Sequence, residues 1–372
     1  MKIVLAPDKY KGSITGIEFC NIVEPIITSE TNAEVIRLPL ADGGDGTIEV
    51  VDFYLSGEMV RVKVNDPLFR IIEASYLFSE ASKVAFIEMA EASGMKLLKE
   101  EERNCMHTST YGTGELINDA IKRGAEHIIL GIGGSATNDC GIGMASALGY
   151  KLLDDNNNEI KPVGRNLIEV KTIDATKVNS KIKTTKIEIA CDVKNPLYGP
   201  QGAAYIYGKQ KGASPVEIEL LDQGLQNISK VIDQHFNLDT QNIVGAGAAG
   251  GMGAGTVAFL NGILNSGIDL IMQIADFENK IKDASWIVTG EGRLDDQTLS
   301  GKALSGIINL AKQNKIKVAA LCGGTDLLPN EIARMGIAYC KTIMDKANSF
   351  EDALENTPQY LEGLAREFIS SF

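Results

Sequence analysis

Short apolar runs, each closed by a glycine-rich turn and then a helical pattern, recur along this chain and constrain its fold more than any other feature. The clearest are Lys2–Ala6, Glu34–Leu38, His127–Leu130, Ile187–Cys191, Trp286–Thr289 and Lys317–Leu321. Strands that must return by a helix-length crossover pair in parallel, so the alternation predicts an α/β fold with parallel sheets. Local signals mark helix starts. Thr15 and Glu18 form a capping-box pattern, and Ser214-Pro215-Val216-Glu217 adds a proline at the first helical position. Residues 59–88 break the pattern: Val60, Val62 and Val64 alternate with polar residues, and two further strand-like runs follow with no helix between them. That reads as antiparallel or mixed sheet. After residue 285 the first style returns. The expectation is a discontinuous, doubly wound parallel-sheet domain (1–65 plus 285–372) and an inserted mixed-sheet α/β domain (66–284).

A length of 372 residues suits two domains. The 38 glycines exceed the usual share of roughly 7%, and they cluster, as tight strand-to-helix turns and close backbone approach to ligands require. The net charge of -13 argues against nucleic acid or an anionic membrane as partner. A small anionic substrate remains compatible if local basic residues hold it, and an oligomer is left open. Six cysteines without a CxxC pair fit a reducing cytosol. The opening apolar run is too short for a signal peptide and reads as a first strand. Residues 240–268 are uncharged and carry a GxxxG spacing at Gly247, Gly251 and Gly255. Eight glycines and several amides make them a poor bilayer span, so a loop running into a buried helix is expected.

Five segments carry chemistry. Asp8-Lys9-Tyr10-Lys11-Gly12-Ser13 follows the first strand, where open α/β sheets bind ligands; Asp8, Lys11 and Ser13 are its substrate-binding candidates. In Ala41-Asp42-Gly43-Gly44-Asp45-Gly46-Thr47, two carboxylates on a glycine turn suit Mg²⁺, although Asp-Gly is also ordinary turn chemistry. Gly131-Ile132-Gly133-Gly134-Ser135-Ala136-Thr137-Asn138-Asp139 follows a strand and opens a helical pattern, which makes a phosphate cradle of backbone N–H groups. It also fits the dinucleotide fingerprint G-x-G-x-x-A, with Asp154 near the ribose position; a second match at Gly245–Gly250 shows how readily glycine-rich sequence yields that pattern. Asp192 ends a strand and reads equally as catalytic acid or turn cap. Thr289-Gly290-Glu291-Gly292-Arg293-Leu294-Asp295, with Gly301-Lys302 behind it, mixes acid, base and glycine as phosphate and metal handling demand. It is not a Walker A motif, because Gly-Lys is followed by Ala303. With only His107, His127 and His235 in the chain, the sequence argues against a histidine zinc site or serine triad, and proton transfer falls to carboxylates.

In this order and over nearly the whole chain, these segments resemble the bacterial glycerate kinase family. The carriers are Ala6–Ser13, Pro39–Thr47, Ile87–Leu98, Thr110–Ile117, Gly131–Gly149, Cys191–Gly212, Gly245–Phe259 and Val288–Lys302. The resemblance implies two α/β domains, ATP with Mg²⁺, and D-glycerate bound between the lobes by a kinase of non-P-loop type. The sequence departs at Lys9 and Tyr10, where serine and phenylalanine are usual, at Asp45 for glutamate, and at Phe69 and Cys140 for glycines. No candidate carboxylate is lost.

Phosphoryl transfer asks a protein for positioning and charge neutralisation. On that chemistry Lys11, Arg293 and Lys302 are candidates for the glycerate carboxylate or the moving phosphoryl group, and Asp42, Asp45 and Glu291 for Mg²⁺. Asp192, then Asp295, is the candidate base. Gly133, Gly134, Ser135, Asn138 and Asp139 compete with Gly247 and Gly250 for the ATP phosphates. A nicotinamide-dependent 2-hydroxy-acid dehydrogenase and a non-catalytic sensor of small acids are the rival readings. Asp42→Asn is predicted to lower kcat at least about 10²-fold, the scale of one lost electrostatic stabiliser, with folding intact. Near wild-type turnover at saturating Mg²⁺ would remove Asp42 from the metal candidates.

Overall fold

The structure, a computed structural model, describes residues 1–41, 46–295 and 302–372. Its strands in chain order are β1 (Lys2–Leu5), β2 (Glu34–Arg37), β3 (Glu58–Asn65), β4 (Ile71–Ser79), β5 (Val84–Glu88), β6 (His127–Gly131), β7 (Lys151–Leu153), β8 (Thr172–Asp174), β9 (Lys186–Ala190), β10 (Ile263–Asn265), β11 (Trp286–Thr289), β12 (Arg293–Leu294), β13 (Lys317–Cys322), β14 (Gly324–Thr325) and β15 (Ile337–Thr342). The chain forms two compact units, Met1–Tyr54 with Ile268–Phe372, and Leu55–Gly267.

The first unit is built on a parallel sheet ordered β15-β13-β11-β1-β2. Ile3, Val4 and Leu5 are fully buried, as a parallel strand covered on both faces requires. The helix Gly16–Glu30 starts where its capping box predicts: the Glu18 N–H donates to Thr15 Oγ1 (3.1 Å) and the Thr15 N–H to Glu18 Oε2 (2.8 Å). Phe19, Val23 and Ile27 on that helix pack with Leu361, Leu364 and Phe368 of the helix Thr357–Ile369 over Ile3, Leu5 and Leu321 of the sheet. From β1 the chain moves to β2 on one side, and β11 joins on the other. The order therefore reverses between β1 and β11, and ligands of open α/β sheets bind outside the carboxyl ends of strands at such a point.

The second unit carries a six-stranded mixed sheet ordered β10-β9-β6-β5-β4-β3. β3, β4 and β5 are antiparallel neighbours, while β5, β6, β9 and β10 run parallel. The alternation of β3 buries Val60 and Val64. A 13-residue helix, Tyr111–Arg123, crosses from β5 to β6 and stops at Gly124 in left-handed conformation. The helix Pro215–Phe236 begins at the predicted capping box of Ser214 and Glu217. The uncharged stretch enters a buried helix, Ala248–Leu260, and among the described residues no helix is long and apolar enough to cross a membrane.

The units divide at 54/55 and 267/268 rather than at 65/66 and 284/285. Pairing explains the first difference, since β3 matches β4 from Glu58↔Phe78 to Asn65↔Ile71. Packing explains the second: a Cβ built on Gly306 would lie 3.3 Å from Met272 Cε, so the helix Gly267–Ile274 rests on the helix Lys302–Asn314.

Phe19→Ala removes a fully buried ring from the first unit's core and is predicted to destabilise that unit by about 3–5 kcal/mol. The chain's single tryptophan is Trp286, in β11, so denaturant unfolding followed by its fluorescence reads this unit. An unchanged midpoint would contradict the core assignment.

Candidate active site

In the first unit the carboxyl ends of β1 and β11 lie side by side. The Ala6 N–H donates to Val288 O (2.8 Å), the Asp8 N–H to Gly290 O (2.9 Å), and the Thr289 hydroxyl to Ala6 O (2.9 Å). This ladder delivers Asp8 and Glu291 to the reversal point. Glu291 is part-buried; burial first, then the charges of Asp8 and Asp295, push its carboxyl up to about 8. Tyr10 is buried and its hydroxyl donates to the Leu321 carbonyl, which fixes the turn after Asp8.

The other candidates here have varied settings. Lys11 is exposed. The Ser13 hydroxyl donates to Thr357 Oγ1 (2.6 Å) and Leu354 O (3.3 Å), tying the turn to the C-terminal helices. Arg293 is exposed and ion-paired with Asp326. Asp42 and Asp45 lie outside the described residues, as does the side chain of Lys302. The donor chemistry fits a hard divalent cation: a carboxylate whose own charge is disfavoured beside two others gains most from a bound positive ion. Among the described residues, no group of three or more His, Cys, Asp or Glu side chains is placed to hold a metal alone. Mg²⁺ commonly uses one or two carboxylates, with waters and phosphate oxygens completing its shell.

In the second unit the turn after β6 is the central feature. Gly133 and Gly134 are exposed, Gly134 is left-handed (φ 68°), and a Cβ on Gly133 would meet nothing within 4 Å. The next residues turn inward. Ser135 is 7% exposed, and Thr137, Asn138 and Asp139 are fully buried. Asp139 accepts from the Thr110 N–H (2.8 Å), the Thr110 hydroxyl (2.9 Å) and the N–H groups of Gly141 (3.1 Å) and Gly143 (3.3 Å). Burial raises its carboxyl, with these bonds opposing the rise. Its carboxylate therefore shapes the turn from within, and the exposed part of the turn is Gly133–Gly134. Asn138 carries an amide with neither polar atom hydrogen-bonded.

The two glycine loops are packed partners. The Cys140 N–H donates to Gly250 O (3.0 Å), and a Cβ on Gly250 would lie 2.0 Å from Thr137 O. A Cβ on Gly247 would lie 2.2 Å from Pro196 O. These two glycines are buried and permit close backbone packing, a use that composition alone does not separate from phosphate binding. Cys140, where the family resemblance carries glycine, is itself left-handed (φ 52°), as is Phe69 (φ 64°). At the end of β9, part-buried Asp192 accepts from the Gly267 N–H through Oδ1 (3.2 Å).

The dinucleotide reading weakens on two points. Asp154 stands after β7, which among the described residues pairs with β8 in a sheet separate from that of β6. Its carboxylate accepts from the N–H groups of Asn156 and Asn158 (both 2.8 Å), closing an exposed turn.

The glycerate kinase family matches this chain over residues 3–372. The chain belongs to the glycerate kinase family. A glycerate kinase of Halalkalibacterium halodurans is 42% identical over 98% of this chain and 96% of its own length. The glycerate 2-kinase of Escherichia coli is 40% identical over 95% and 93% respectively. The crystal structure of a candidate glycerate kinase 2 from Salmonella typhimurium LT2 is 39% identical, covers 100% of this chain and 98% of that one, and superposes with a TM-score of 0.89. The family comprises kinases with an alcohol group as acceptor, so the dehydrogenase and sensor readings give way.

Gly250→Ala is predicted to cost more than the roughly 1–2 kcal/mol that left-handed backbone alone imposes on a non-glycine residue, because its Cβ also overlaps Thr137 O. Chemical denaturation of the variant checks this. A loss below about 1 kcal/mol would mean the two turns can separate freely.

Proposed function

We propose that this chain transfers the γ-phosphoryl group of ATP to a hydroxyl of D-glycerate, giving phosphoglycerate and ADP, and that it does so in the cytosol with Mg²⁺. The observation that carries this reading is the open glycine turn Gly133–Ser135 at the carboxyl end of β6, in a chain that matches glycerate kinase from residue 3 to residue 372. Exposed backbone at Gly133 and at left-handed Gly134 suits phosphate oxygens, and this turn is the preferred nucleotide-phosphate site. Free thiols at all six cysteines support a reducing compartment.

Glu291, with Asp8 and Asp295 beside it, would hold Mg²⁺; Asp42 and Asp45 remain proposed as further ligands. When bound, the ion supplies positive charge to phosphate oxygens. Lys11 and Lys302 are proposed for the glycerate carboxylate, Arg293 for the phosphoryl group once it exchanges its partner Asp326. Asp192 orients the acceptor hydroxyl and takes its proton at a carboxylate oxygen, with Asp295 as the alternative base. The name of the E. coli relative, glycerate 2-kinase, supports O2 as the acceptor.

ADP release with D-glycerate, ATP and Mg²⁺ tests the activity, and ³¹P NMR of the product reads the position of the phosphate. Absence of turnover, or NAD(P) reduction in its place, would overturn the reading. Asp192→Asn is predicted to lower kcat at least about 10²-fold while ATP affinity changes only a few-fold, since the lost interaction belongs to the transition state. Asn still accepts from the Gly267 N–H, so the melting temperature should hold. Unchanged turnover would pass the role to Asp295.

A further inference from the structure

Lys211 is 3% exposed, and its Nζ donates to Ser135 Oγ and to Thr137 O, both at 2.7 Å. It sits in a single 3-10 turn, Lys209–Lys211, ended by Gly212 in left-handed conformation (φ 86°). A Cβ on Gly212 would lie 1.8 Å from Arg103 O, and the Cys105 N–H donates to Lys211 O (3.1 Å). The segment is thus locked against residues 103–105, and the ammonium is carried to the inner side of the turn that exposes Gly133 and Gly134.

Among the described residues this ammonium makes no ion pair. The groups facing it are Asp139, whose carboxyl is raised by burial and already accepts four hydrogen bonds, and the Cys105 thiol, pushed up to about 11 by burial. On the adjoining segment the buried Nε of Arg103 has no hydrogen-bond partner. A buried cation is costly when the carboxylate facing it is itself disfavoured by burial. The same turn holds three more buried polar atoms without partners, Thr137 Oγ1 and both amide atoms of Asn138. One buried ammonium and unused hydrogen-bonding capacity therefore meet at residues 135–138 of this turn.

We propose that Lys211 is a positioning residue of the reaction: it holds the 133–137 turn in its ligand-ready form and lends it the positive charge that a nucleotide phosphate neutralises. The inference rests on reading that turn as the nucleotide-phosphate site. Lys211 acts through Ser135 and Thr137 and need not touch the ligand.

The test is calorimetric titration of ADP into the full chain in EDTA, which keeps metal ligands out of the readout, from pH 6.5 to 9.5. Lys211→Met should still melt cooperatively and bind ADP at least about tenfold more weakly, because the turn loses both lysine hydrogen bonds and the positive charge behind it. Burial lowers the Lys211 ammonium to about 8, so wild-type affinity should fall as pH rises through that value and the ammonium loses its proton. The variant should lack this fall. The last phosphate ionisation lies near 6 and does not interfere. Wild-type affinity for both ADP and D-glycerate that stays flat between pH 7 and 9, or a folded variant that binds both as tightly as wild type, overturns the proposal. Glu291 is also pushed up to about 8, so Glu291→Gln should keep the fall, and a profile flattened by that variant overturns the proposal even if Lys211→Met does not fold. If Lys211→Met weakens D-glycerate binding and spares ADP, the positioning role stands and the turn belongs to the acceptor, which refutes the nucleotide assignment separately.

Discussion

The carboxyl edge of the second unit's sheet depends on one close approach of backbone to backbone, that of Gly250 and Gly251 against Thr137–Cys140. No side chain fits at either glycine, and Ala249, Gly250 and Gly251 all adopt left-handed conformation to make the approach. That geometry gives the Cys140 N–H its acceptor at Gly250 O. With Cys140 held left-handed, Asp139 turns inward to Thr110, and the exposed part of the loop shrinks to Gly133 and Gly134. Two non-glycine residues, Ala249 and Cys140, carry backbone strain of about 1–2 kcal/mol each for this arrangement, and the hydrogen bonds of the buried turn offset it.

A part-buried acid and a buried base mark the two units, and one physical cause acts on both. Desolvation favours the neutral form of Glu291 in the first unit and of Lys211 in the second. Glu291 faces the further acids Asp8 and Asp295, and Lys211 faces an Asp139 whose own charge burial disfavours. A cation beside Glu291 or a phosphate near the Lys211-supported turn would relieve a cost already present in the free protein. Binding energy gained this way needs no large new contact surface, which suits a small polar substrate and a metal ion.

What the sequence made legible was whatever is decided within a few residues. The capping boxes at Thr15 and Ser214, the short apolar strands and the alternation of β3 all appear where local chemistry expects them. The positions Phe69 and Cys140 were flagged as departures from glycine, and both have positive φ. The less legible part was set by distant neighbours. Asp139 reads as an acid beside a phosphate loop, yet Thr110, 29 residues away, claims its carboxylate. Gly247 and Gly250 read as a phosphate cradle because glycine for close packing and glycine for ligand approach are the same letter. The service of Lys211 to Thr137 spans 74 residues, and that of the Ser13 hydroxyl to Thr357 spans 344. No window of sequence contains such pairs.

The split composition of the first unit bears on how the protein is made. β1 finds β2 as soon as residue 37 has been synthesised, but its other neighbour, β11, ends at residue 289. At translation rates of about 5–20 residues per second, β1 waits some tens of seconds or less with one edge unpaired. Residues 55–267 form a contiguous unit that can complete its own sheet during that interval. The nascent chain thus carries a finished body tethered to an apolar, half-built sheet, the kind of surface that chaperones retain until the C-terminal strands emerge.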